Sequence, residues 1–133
     1  MCVPLAPQVP RIGIGTIGWT ADTPEDETRI GGVAAAAMAE GLTFFDTAER
    51  YGAKGSSLIP AALAACGLPV ENDYLGGDTE SRLQHWVGNR GAVATKFAPT
   101  PWRNSAQEVV EACRGSCERL GVESVPLMQI HMP

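Results

Sequence analysis

The sequence predicts an α/β fold built on a parallel sheet. Three observations carry that reading: four short apolar runs, helical periodicity between them, and start or stop signals at most junctions. Repeated strand–helix units imply right-handed crossovers, which lay the strands parallel. Two architectures satisfy the pattern: a doubly wound sheet, or the opening of a (β/α)8 barrel.

The elements follow in order. Residues 11–15 form a first strand. Thr23-Pro24 then offers a cap and a first-turn proline. Ile30, Val33, Ala34, Ala37 and Met38 recur at i, i+3, i+4, i+7 and i+8, one face of a helix. Gly31-Gly32 weakens this helix by ~1 kcal/mol per glycine relative to alanine, so packing must hold it. Gly41 closes it. Residues 42–45 form a second strand that ends in Asp46. A short apolar helix is expected at 57–66, with Pro60 in its first turn and Gly67 at its end. Residues 68–90 are polar, contain glycine and have no clear period; His85 among them reads as solvated. Residues 91–95 form a third strand reaching Lys96. Ser105-Ala106-Gln107-Glu108 is a capping box, opening a helix to Leu120 with Arg114 and Arg119 near its negative end and Gly121 after it. Residues 127–130 form a fourth strand ending at His131, with Pro126 marking its start.

Composition narrows the function classes. The 133 residues make one domain, 44% apolar and 19% charged, an ordinary globular balance. Ten basic against fifteen acidic residues leave a net charge of −5, and without a basic run no nucleic-acid partner is expected. Residues 1–7 have neither a charged n-region nor a long apolar h-region, and residues 33–39 are far short of the ~20 needed to span a bilayer. The expectation is a soluble, cytoplasmic protein with no membrane association and no evident transit peptide. Cys2, Cys66, Cys113 and Cys117 match no disulfide framework or paired zinc-ligand spacing. Cys113 and Cys117 could share a metal on a helix, but they fall in a Val109–Cys113–Cys117–Leu120 stripe and read as buried core. No metal site is expected.

One motif misleads. Gly13-Ile14-Gly15-Thr16-Ile17-Gly18 matches G-x-G-x-x-G, and Asp46 stands where a ribose-binding acid would. That fingerprint needs a helix to start inside the glycine turn, with its N-terminus on the pyrophosphate. Here Trp19 to Asp22 intervene before the first helix signal. The placement of ionisable residues says more. Asp46, Lys96 and His131 end strands two, three and four, and Tyr51 follows Asp46 by five residues. Each alone has a bland reading as a turn cap, a solvated lysine, a satisfied histidine or a packed tyrosine. Together they line the carboxyl ends of neighbouring parallel strands, where barrel enzymes place their chemistry.

At those residues the chain resembles the aldo-keto reductases. Asp46-Thr47-Ala48-Glu49-Arg50-Tyr51-Gly52 is similar to the family's D-x-A-x-x-Y-G signature. Ala94-Thr95-Lys96 resembles its strand-three lysine motif, and Gln129-Ile130-His131-Met132-Pro133 its strand-four histidine motif. Phe97 to Arg103 look most like plant and cyanobacterial-type members, which leaves a plastid location open. The resemblance implies a (β/α)8 TIM barrel whose first half, about four strands and three helices, is residues 1–133. It implies NADPH-dependent reduction of small aldehydes and ketones, with Tyr51 as general acid, Lys96 and Asp46 behind it, and His131 orienting the carbonyl. It also implies cofactor contacts from Gly15, Thr16 and Asp46.

The chemistry explains the set. Hydride reduction of a carbonyl leaves an alkoxide that needs a proton, and a free tyrosine, with pKa ~10, gives one reluctantly. An ammonium beside a phenol favours the phenolate, a carboxylate holds that ammonium charged, and a histidine donor stabilises the growing charge on oxygen.

Several positions depart from the family pattern. Ser56-Ser57 replace a usual serine–glutamate pair. Ile17 stands where many members carry an aromatic, Met132 replaces a common tryptophan, and Pro126 a common aspartate. Residues 68–90 lengthen a connection expected on the stability face. A complete barrel takes ~250 residues, so activity is expected only with a second half, and strands one and four are expected to be open edges inviting self-association. The alternatives are a non-catalytic, aldo-keto-reductase-like binding subunit or an inactive truncated fragment.

Overall fold

The computed structural model describes residues 10–52, 77–101 and 103–131. Their elements are β1 (Ile14–Gly15), α1 (Pro24–Ala39), β2 (Phe44–Asp46), α2 (Thr79–Trp86), a 3₁₀ turn at Gly88–Arg90, β3 (Ala92–Phe97), α3 (Ala106–Leu120) and β4 (Met128–Ile130). The four strands form one parallel sheet in the order β1-β2-β3-β4. That order decides between the two architectures. A doubly wound sheet reverses direction at a switch point, whereas here every strand lies beside its predecessor. With right-handed crossovers, such a run puts all the helices on one face, which is how a barrel begins.

The helix ends follow the signals read from sequence. Thr23 caps α1, its hydroxyl accepting from the Asp26 N–H. Gly41, at φ 80°, closes the helix, with Leu42 N–H donating to the Ala37 carbonyl and Gly41 N–H to that of Met38. Ser105 and Glu108 make both halves of the capping box that opens α3, and Gly121 ends it in the left-handed region. The predicted helix at 57–66 lies outside the described residues.

Two expectations change. The stretch 68–90 is not irregular throughout, because α2 occupies Thr79–Trp86 within it. Its period is hard to see because two of its four buried positions, Thr79 and Glu80, are polar. Leu83, Trp86 and Val87 still fall at i, i+3 and i+4, and all are buried. The cysteines are the second change. The buried face of α3 is Ala112–Ser116–Leu120, which shares only Leu120 with the predicted stripe. Cys113 and Cys117 are half-buried, free thiols on the wall of an apolar groove of about 680 Å³ that also includes Val122 and Val125. Ser116 takes an inward position, accepting from Arg119, whose guanidinium reaches the buried carboxylate of Glu80.

The core lies between the sheet and the helix layer. Phe45 and Val93 point into it from the strands, Ile30 and Ala34 from α1, Leu83 and Trp86 from α2, and Leu120 from α3. Trp19 packs edge-on against Phe45 and Trp86, with centroids 6.2 and 5.9 Å apart. Strand alternation then sends Asp46 and Lys96 to the opposite face. Among the described residues no helix is long and apolar enough to cross a membrane, and β1 and β4 are the sheet's edges.

Candidate active site

The structure brings Asp46, Tyr51, Lys96 and His131 together at the carboxyl end of the sheet. Asp46 is the last residue of β2 and Lys96 the penultimate residue of β3. The Lys96 ammonium donates to Asp46 Oδ2 at 2.7 Å and to the Thr47 carbonyl at 2.8 Å. It also stands 5.0 Å from the centroid of the Tyr51 ring. His131 extends β4, its N–H donating to the Phe97 carbonyl at 2.8 Å, and its ring meets Tyr51 edge-on at 5.5 Å.

Tyr51 is the one member not on a strand, and its loop is pinned at several points. Its N–H donates to the Ala48 carbonyl, closing a tight turn, and its carbonyl accepts from the Thr79 N–H at the start of α2. Gly77 packs so closely on this turn that a Cβ there would collide with the Tyr51 carbonyl. Glu49, only 3% exposed, holds the loop to the next one through the Ala98 N–H and both terminal nitrogens of Arg103. The helix missed from sequence is thus part of what places the tyrosine.

Electrostatics at the site favour a neutral histidine. Burial pushes His131 below its ordinary pKa of 6.5, the Lys96 and Arg50 charges push the same way, and Asp46 and Glu49 oppose them. Its Nδ1 is buried with no hydrogen-bond partner among the described residues, as is the Thr47 hydroxyl. A neutral imidazole has one donor and one acceptor nitrogen. An unsatisfied one at a strand end can turn that capacity on a ligand.

The residues predicted to contact a cofactor differ in exposure. Gly15 pairs with Asp46 in register, is exposed, and would meet no described residue within 4 Å if it carried a Cβ. Thr16 is fully buried, with its hydroxyl donating to the Asp46 carbonyl at 3.2 Å. That bond ties the end of β1 to β2. Ile17 is 75% exposed beside Thr16. Ser56, Ser57 and Met132 lie outside the described residues, which contain no cluster of three or more metal-ligating side chains.

Two contributors were not singled out from sequence. Gln129 Nε2 donates to Asp46 Oδ1 at 3.0 Å, and the Glu49–Arg103 pair couples the loops after β2 and β3. The first was legible in principle, since Gln129 stands two residues before His131 on a strand and shares its face. The second has no sequence signal, because its partners are 54 residues apart.

Comparison with known proteins agrees with this geometry. The sequence profile of the aldo/keto reductase family matches residues 11–133, and the chain belongs to that family. It is 33% identical over 97 residues to the chloroplastic pyridoxal reductase of Arabidopsis thaliana, covering 71% of this chain and 23% of that protein. It is 31% identical over 111 residues to the 6-dehydroglucose reductase of Novosphingobium aromaticivorans, covering 84% and 33%. The fold superposes on a Klebsiella pneumoniae aldo-keto reductase in complex with NADPH at a TM-score of 0.62, with 22% identity over 92% of this chain and 35% of that one. The aligned part of the chain thus spans only 23% and 33% of the length of these curated relatives.

Proposed function

We propose that this chain supplies the catalytic strands of an NADPH-dependent reductase acting on small aldehydes or ketones. The observation that supports it best is the Lys96 ammonium, anchored by Asp46 and Thr47 while it faces the Tyr51 ring, with His131 meeting that ring edge-on. NADPH, when bound, supplies the hydride. Tyr51 gives the proton that the developing alkoxide needs. Lys96 stabilises the charge left on the phenol oxygen, and Asp46 keeps Lys96 in place. His131, neutral at pH 7, offers an N–H to the carbonyl oxygen and resists its own protonation because it is buried beside two cations.

The test uses the completed barrel, this chain joined to the second half of a family member, because the aligned span is only 23% and 33% of those relatives. With NADPH deuterated at the hydride-donating carbon and a generic aldehyde, the alcohol product should carry the label on its former carbonyl carbon. Unlabelled alcohol, or none, would remove the reading.

A further inference from the structure

The Asp46 carboxylate is gripped from two strands at once. Lys96 on β3 holds Oδ2 at 2.7 Å, and Gln129 on β4 holds Oδ1 at 3.0 Å. Lys96 and Gln129 are register partners across those strands, so both side chains rise from the same level of the sheet toward one acceptor. An ionised carboxylate only accepts, so the glutamine must present its nitrogen to Asp46. From this we infer that Gln129 is a positioning residue of the site, fixing the Asp46 carboxylate so that Lys96 is held at one place beside Tyr51. The inference rests on the reductase reading for its kinetic consequence and on geometry alone for its structural one.

The physical reason lies in the torsion Asp46 would otherwise have. The terminal torsion of an aspartate is broad and roughly two-fold, and one bond to a flexible lysine leaves the carboxylate free to swing with it. A second bond to the other oxygen, from a side chain rooted in a different strand, removes that freedom. Lys96 has three N–H groups. Two are taken by Asp46 and Thr47, and with Asp46 fixed, the direction of the third is fixed as well. Gln129 also stands two residues before His131, so one strand sets both the histidine and the brace on the aspartate.

Two variants separate positioning from bulk stability. Gln129→Leu removes the donor, and Gln129→Glu keeps the shape but replaces the amide with an acceptor that cannot bond to Asp46. In the completed barrel both should lower kcat about tenfold, the usual worth of a hydrogen bond to a charged group, while KM for NADPH stays within about twofold. In the 133-residue chain, the ammonium cross-peak of Lys96, followed by ¹H–¹⁵N NMR at low temperature and mildly acidic pH, should be visible in the parent and broadened away in both variants, with the folded amide spectrum retained. Wild-type kcat in the variants, a rise in KM in place of the fall in kcat, or an unchanged Lys96 cross-peak would overturn the inference. Failure of deuterium transfer in the wild type would instead sink the reductase reading, and the Lys96 signal would still decide the role of Gln129.

Discussion

The rim at the carboxyl ends of the strands and the layer between sheet and helices both bury charged groups, but they finish them differently. In the helix layer the ion pairs close on themselves. Glu80 is fully buried, and its oxygens are taken by the Thr95 hydroxyl and the Arg119 guanidinium, while Arg119 also reaches Ser116. Glu27 is matched by Arg82 on one oxygen and the Trp86 indole on the other. At the rim Asp46, Lys96 and Glu49 are paired as well, but polar atoms around them are left without partners. The four buried side-chain atoms without a partner among the described residues are on Thr47, Asp78, Thr100 and His131. Each follows a strand's carboxyl end or opens the helix after it. Unsatisfied buried polar groups cost stability, and among the described residues they gather at the end of the sheet that also carries Tyr51, Lys96 and His131.

That contrast can be broken at either side. The larger effect is expected in the helix layer. Glu80→Ala strips the acceptor from Arg119 and Thr95, and should destabilise the chain by roughly 2–4 kcal/mol. Breaking a fully buried pair costs ~3–5 kcal/mol, and the value is reduced here because Arg119 is a third exposed. Urea denaturation of wild type and variant measures it, and a loss below ~1 kcal/mol would mean that the network is not structural.

The smaller effect concerns His131. Its pKa is lowered on folding, so the unfolded chain binds the proton more readily. Stability from this group is therefore present above the ordinary 6.5, and is lost as pH falls from there through the folded value. Imidazole proton shifts followed by NMR against pH should give a midpoint below 6.5. A midpoint at or above it would show that burial and the two cations do not control the ring.

Much of this was legible in the sequence. The four strands, the caps at Thr23 and Ser105 and the glycine stops at Gly41 and Gly121 rest on local rules that packing did not override. The false dinucleotide fingerprint was also legible, because α1 starts at Pro24 and not within the glycine turn. What failed was wherever burial and polarity part company. α2 hid because Thr79 and Glu80 face inward to meet partners remote in sequence, and the cysteine stripe misled because Ser116, needed by Arg119, took the inward position on α3. Tyr51, Lys96, Asp46 and His131 could be named from their positions at strand ends. The bonds that aim them, from Gln129, Gly77 and Arg103, join residues 28 to 83 positions apart, and no local pattern carries those.

The proton's source is tested most directly by the turnover of Tyr51→Phe in the completed barrel, measured with a generic aldehyde and NADPH. Removing one hydroxyl from the open rim should lower kcat by ~10²–10⁴, the usual contribution of a general acid, with the urea midpoint unchanged because no closed network is touched. Turnover near that of the wild type would take the proton away from Tyr51, and with it the claim that this rim performs the reduction.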